Sequence, residues 1–176
     1  MNEPKPYFPP VIVGGRPVDL SHLEPFTFHV QSLLARKNLR IRVLFSTHCF
    51  STGRTETGHS VGDTVIDADR PVEHQRTFCA YRYALSKSLP NIISGFVGVD
   101  VGLTTSRRNH VYVATVSGHQ PYQIFFELRR ASAERRTWQD LNLVIESAYI
   151  PDGSLAPTVK ILPFALLAGL VHTRKA

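Results

Sequence analysis

The sequence predicts an α+β fold in a single domain: an antiparallel sheet, built from an N-terminal hairpin and a C-terminal three-strand meander, with helix packed on one face. Apolar–polar alternation runs through "FTFHVQ" and "LRIRVLFS" and returns in "HVYVATVS", "YQIFFELRR" and "LNLVIESAYI". Between the two blocks, "YRYALSKSLPNIISGFV" sets Leu85, Leu89, Ile92, Ile93 and Phe96 at helical spacing. A chain of 176 residues, 43% hydrophobic and 19% charged, can bury one core without disulfide staples.

Each element follows from its residues. Residues 1–25 read as an extended lead-in, because Pro4, Pro6, Pro9, Pro10, Pro17 and Pro25 discourage regular structure, with "VIVGGRPV" as a short hairpin. In the first strand pair Leu39, Ile41, Val43 and Phe45 share one face. Continued alternation puts Arg40, Arg42, Leu44, Ser46 and His48 on the other. Residues 51–77, with Gly53, Gly58, Gly62 and Pro71, read as a long polar loop. Pro90 is expected to kink the following helix or split it in two.

In the meander, Tyr122, Ile124, Phe126 and Leu128 mark a core face, and Leu141, Leu143 and Ile145 continue it. Gln123, Phe125, Glu127, Arg129, Asn142 and Glu146 face away. By the same parity Glu146 and Tyr149 point to opposite sides unless the strand ends near Ser147. "KILPFALLAGLVHTRKA" closes the chain as a short helix or a last strand.

Charge indicates the kind of partner. Twenty Lys+Arg against fourteen Asp+Glu give +6 and a pI near 9.6, and fifteen of the cations are arginine. Arginine's planar fork suits bidentate contact with phosphate and stacks on bases, which points to RNA or another nucleic acid. A protein partner, such as an antitoxin or host factor, is the second expectation. No basic-then-apolar leader opens the sequence and "FALLAGLV" is too short to span a bilayer, so no membrane association is expected. Two cysteines make no disulfide framework, and a reducing cytoplasm is the expected compartment.

The candidate chemistry gathers on the polar sheet face. His48, with Glu146 as its partner and Arg82 and Arg129 as phosphate clamps, supplies the parts for metal-independent RNA cleavage. A base takes the 2′-OH proton, cations stabilise the phosphorane, and an acid protonates the leaving oxygen. Arg40 and Arg42 on the same face, and the turn pairs Arg107, Arg108 and Arg135, Arg136, are candidate nucleic-acid contacts. The plainer alternative is a solvated sheet face carrying surface ion pairs. Arg82 between Tyr81 and Tyr83 fits a phosphate clamp beside a stacking ring, or an arginine snorkelling from a helix start.

No cofactor is expected from any motif. The competing arrangement is a structural zinc held by Cys49, His59, His74 and Cys79, although no CxxC or HxxxH supports it. Both cysteines also fit as buried small hydrophobes. P-loop, Rossmann, G-x-S-x-G and HExxH patterns are absent.

At "DLSHLEPFTFHV", "FSTHCFS", "TFCAYRYALSKSLP" and "YQIFFELRRASAERRTWQDLNLVIESAY" the chain resembles a family of bacterial and prophage proteins with no assigned chemistry. The second half, a basic meander ending in "VIESAY", also resembles the closing strands of barnase/RelE-like RNases, although it lacks their helical pair before the sheet. This second resemblance implies metal-independent RNA cleavage by a small cytoplasmic protein of mobile-element origin, acting as a toxin or in phage defence. The alternative is a non-enzymatic module that binds nucleic acid or a host protein, held together by zinc.

Overall fold

The computed structural model describes residues 5–53, 64–67, 74–105, 109–116 and 120–174. The lead-in opens with a hairpin of β1 (Ile12–Val13) and β2 (Arg16–Pro17). Gly14 and Gly15 turn it with φ of 55° and 76°, a conformation that costs glycine nothing and other residues a steric penalty. Phe8 and Val11 are buried, and Phe8 packs edge-on against Phe50. The lead-in is therefore part of the core.

Strands β3 (Phe26–Ser32) and β4 (Lys37–Phe45) form the expected antiparallel hairpin, with His29 opposite Arg40. A short sheet follows, of β5 (Ser51–Gly53), β6 (Thr64–Asp67) and β7 (His74–Phe78) in the order β5-β7-β6. Where alternation is too short and polar to read, the segment 51–77 thus holds three strands instead of one loop. Helices α1 (Ala80–Ser86) and α2 (Leu89–Ser94) are the two halves of the expected helix, with Pro90 in the first turn of α2, where its missing N–H costs no bond.

The chain then runs through β8 (Asp100–Thr104), β9 (His110–Val116), β10 (Gln120–Arg130), β11 (Leu141–Tyr149) and β12 (Thr158–Pro163) into α3 (Phe164–Thr173). The last segment is thus both a strand and a helix. The main sheet has seven strands in the order β12-β8-β9-β10-β11-β4-β3. Strands β9, β10 and β11 make the expected meander.

The antiparallel expectation fails at one joint. Strand β11 lies parallel to β4, with Leu141 opposite Ile41 and Ile145 opposite Phe45. The whole chain between β4 and β11 is the crossover that a parallel pair requires. The fold is α+β with a mixed sheet.

One face of this sheet is the core. Leu39, Ile41, Val43, Leu141, Leu143, Ile145, Ile124 and Phe126 are fully buried there. Phe96 and Phe164 close over them, with ring centroids 5.5 Å and 6.0 Å from Phe126. Helix α3 follows directly from β12 at one edge and packs on β3 at the other, so the sheet curls around it. At Gly169 a Cβ would collide with Ser32 Oγ, so glycine is what lets α3 approach β3 closely.

Candidate functional site

The outer face of the sheet carries most of the polar candidates, and register shows which ones meet. Thr27, Arg42, Asn142 and Arg129 stand in one cross-strand row over β3, β4, β11 and β10. The next row holds Leu44, Val144 and Glu127. Arg129 grips Glu127 with two guanidinium nitrogens, and this bond raises its pKa further, with Glu146 adding to the effect.

The third row contains an irregularity. Phe126 pairs with Ile145 but Phe125 pairs with Ser147, which leaves Glu146 as the extra residue of a β-bulge. The bulge resets parity, so Glu146 and Tyr149 share the outer face, contrary to strict alternation. Tyr149 stacks on Phe125 at 5.5 Å, and the Arg82 guanidinium lies 5.0 Å over the Tyr149 ring. The aromatic partner of Arg82 is therefore Tyr149, from a distant strand, whereas Tyr83 packs on Phe78 and His22.

His48 arrives by a different route from the one alternation predicts. Strand β4 ends at Phe45, and His48 sits in a 3-10 turn, Thr47–Cys49. Ser46 caps this turn: its Oγ accepts from the His48 N–H and donates to the Glu146 carbonyl. Arg82 in turn donates to the carbonyls of His48 and Ser51. The main chains of His48 and Glu146 thus meet at Ser46, near the carboxyl ends of the parallel strands β4 and β11, and the Arg82 guanidinium joins them through the His48 carbonyl. The Glu146 carboxylate accepts from the Asn109 side chain. Arg129 lies farther along the same face.

The other half of "HC" has a separate fate. Cys49 is fully buried, its Sγ faces the Ile145 carbonyl at 3.8 Å, and burial pushes its thiol up to about 12. Cys49 and Cys79 are both free thiols. His59 lies outside the described residues, as do Arg107 and Arg108. Among the described residues no group of three or more His, Cys, Asp and Glu side chains is placed to share a metal ion.

The arginines at the opposite end of this face divide by role. Arg40 donates to the carbonyls of Thr137 and Arg136, and its backbone N–H and Nε reach Asp140. It holds the turn between β10 and β11 with 31% of its side chain still exposed. Burial pushes the Asp140 carboxyl up, but bonds from Arg40 and Lys37 outweigh it and hold the group below its ordinary range. The turn so fixed exposes Arg135, Arg136 and Trp138. Trp138 is 48% exposed, with Arg42 5.6 Å from its ring.

Positive charge accumulates here. Desolvation and the like charges of Arg174 and Arg136 hold Arg130 below its ordinary value. Burial, opposed by Asp140 and reinforced by Lys37, Arg130 and Arg136, does the same to His172. Trp138 and the stacking role of Phe125 are not among the candidates that the sequence puts forward. An aromatic next to "ERR" in a predicted turn was the available signal for the first. The second departed visibly from alternation.

These features define an α+β domain with a curled mixed sheet, basic at one end of its outer face and bulged at the other. The chain belongs to the YjaZ family, whose model matches residues 10–171. No curated protein and no solved structure matches it. No described helix is long and apolar enough to cross a membrane.

Proposed function

We propose that the protein is RNA-directed and acts in the cytoplasm, binding a single strand along the outer face of the sheet. The observation that carries this reading is the turn fixed by Arg40, which sets an exposed Trp138 among Arg42, Arg135 and Arg136. A ring for stacking beside several guanidinium groups is the combination that single-stranded nucleic acid requires. From there the face leads through Arg129 and Asn142 to the bulge.

At the bulge the strand would meet His48, Glu146 and Arg82. There His48 would take the 2′-OH proton, Arg82 would steady the phosphorane and Glu146 would protonate the leaving oxygen, without metal. One observation favours binding without turnover. Arg82 donates to two carbonyls and the Glu146 carboxylate accepts an amide, so both groups must exchange partners to reach substrate.

Incubation of the purified protein with total RNA in EDTA separates the two readings. Discrete cleavage that disappears in His48→Ala is the expected result for the enzyme. Retained binding with no cleavage at any protein concentration assigns the surface to a binding module. Absence of binding overturns both.

A further inference from the structure

On the concave side, away from the bulge, β8, β9, β10, β12 and α3 enclose a pocket of about 450 Å³, within the size range of small-molecule sites. Its walls are mainly aliphatic, with Leu103, Leu162 and Leu170 among them. Two polar side chains, His110 and Lys160, join them, while Glu127 borders the pocket from β10 with its carboxylate held by Arg129 on the outer face.

Their placement is ordered. Lys160, Leu103 and His110 are successive partners across β12, β8 and β9, so one row runs from an exposed cation at the sheet edge to an imidazole inside. Strand spacing puts the two ends roughly 10 Å apart, a gap that a flexible lysine stem can shorten. The His110 ring lies against Phe126, centroid to centroid 5.6 Å, and its buried Nδ1 has no hydrogen-bond partner among the described residues. A buried polar atom of this kind calls for a partner. Lys160 is the one lysine or arginine among the lining residues.

We propose that this pocket binds a medium-chain aliphatic carboxylate, with its tail among the leucines and its head shared by Lys160 and His110. The apolar walls need a hydrocarbon body. The cation and the unpartnered imidazole nitrogen need an anionic or accepting head, and a carboxylate supplies it. This site is separate from the nucleic-acid face, and its test does not depend on that reading.

Calorimetric titration of the full chain with decanoate, below its micelle concentration, tests the proposal. Saturable binding at one site per chain is expected, with decanol weaker by about tenfold. Lys160→Glu, a change at an exposed position, should weaken decanoate by about tenfold and leave decanol unchanged. Leu170→Trp, filling the pocket, should abolish binding of both, with circular-dichroism melting confirming the fold. Absence of saturable heat, equal affinity for decanoate, decanol and decylammonium, or wild-type binding by Leu170→Trp would each overturn the assignment.

Discussion

Ser46 shows how one small side chain organises the bulge: a single hydroxyl accepts from the His48 turn and donates to β11. What holds His48 in place includes its own main chain, through the Ser46 cap and the Arg82 bond. Truncating the imidazole leaves those bonds intact. His48→Ala is therefore expected to keep the turn in place while abolishing the proposed cleavage. Cys49 behaves oppositely. Its buried thiol remains protonated at neutral pH, and Cys49→Ser should cost about 1–3 kcal/mol by burying an ill-paired hydroxyl. Denaturant melts measure that cost, and metal analysis of metal-replete protein accompanies them. One zinc per chain bound through Cys49 would replace the packing role with a ligand role. The separation of His48 from Cys49 was legible in the sequence, but its cause was not. Strand parity predicts the division, whereas β4 stops at Phe45 and a 3-10 turn makes it.

Among the elements, the turn between β10 and β11 depends most visibly on a residue far away in sequence. Arg40 and Lys37 reach it from β4, and Asp140, with 3% of its side chain exposed, receives them. Because the folded carboxyl titrates below its ordinary value of 3.8, its contribution is complete above that pH. It is lost as pH falls through the folded value. Asp140→Asn should thus flatten the acid limb of the stability curve below about pH 4, and at pH 7 should cost about 2 kcal/mol. A pH series of urea melts on the two proteins checks both, and parallel acid limbs would count against the ion pair as its source.

Local alternation made β3, β4, β9, β10 and β11 legible. The parallel joint between β4 and β11 leaves no local trace, because it depends on how two distant segments meet. The bulge at Glu146 uses neither glycine nor proline, the residues that would announce it. Helix α3 is ambiguous in the sequence because the curled sheet surrounds it: Leu166 is its one exposed residue, so it has no polar stripe to reveal a helical period.

At the scale of the whole molecule, the question is what the arginines at one end of the outer face do in a chain with six excess positive charges. Counterion release and base stacking make different predictions. If single-stranded RNA lies across Arg42, Arg135, Arg136 and Trp138, each displaced phosphate counterion should contribute about 0.7 to the slope of log K against log salt. Arg135→Glu with Arg136→Glu should then reduce affinity and flatten that slope by roughly 1.4 if both touch phosphate. The change also removes the bond from Arg136 Nε to the Ala131 carbonyl, so a melting curve accompanies it, while the Arg40 bonds to the Thr137 and Arg136 carbonyls still hold the turn. Trp138→Ala should also weaken binding, by about 1–3 kcal/mol for each base it stacks, but with the salt slope intact. Arg40→Ala should resemble neither, since it frees the turn that displays all three groups and so lowers stability as well as affinity. Fluorescence anisotropy with a labelled single strand, repeated across salt concentrations for the four proteins, distinguishes these patterns. A flat response in the wild type would remove nucleic acid as the partner of this face and leave a protein in its place.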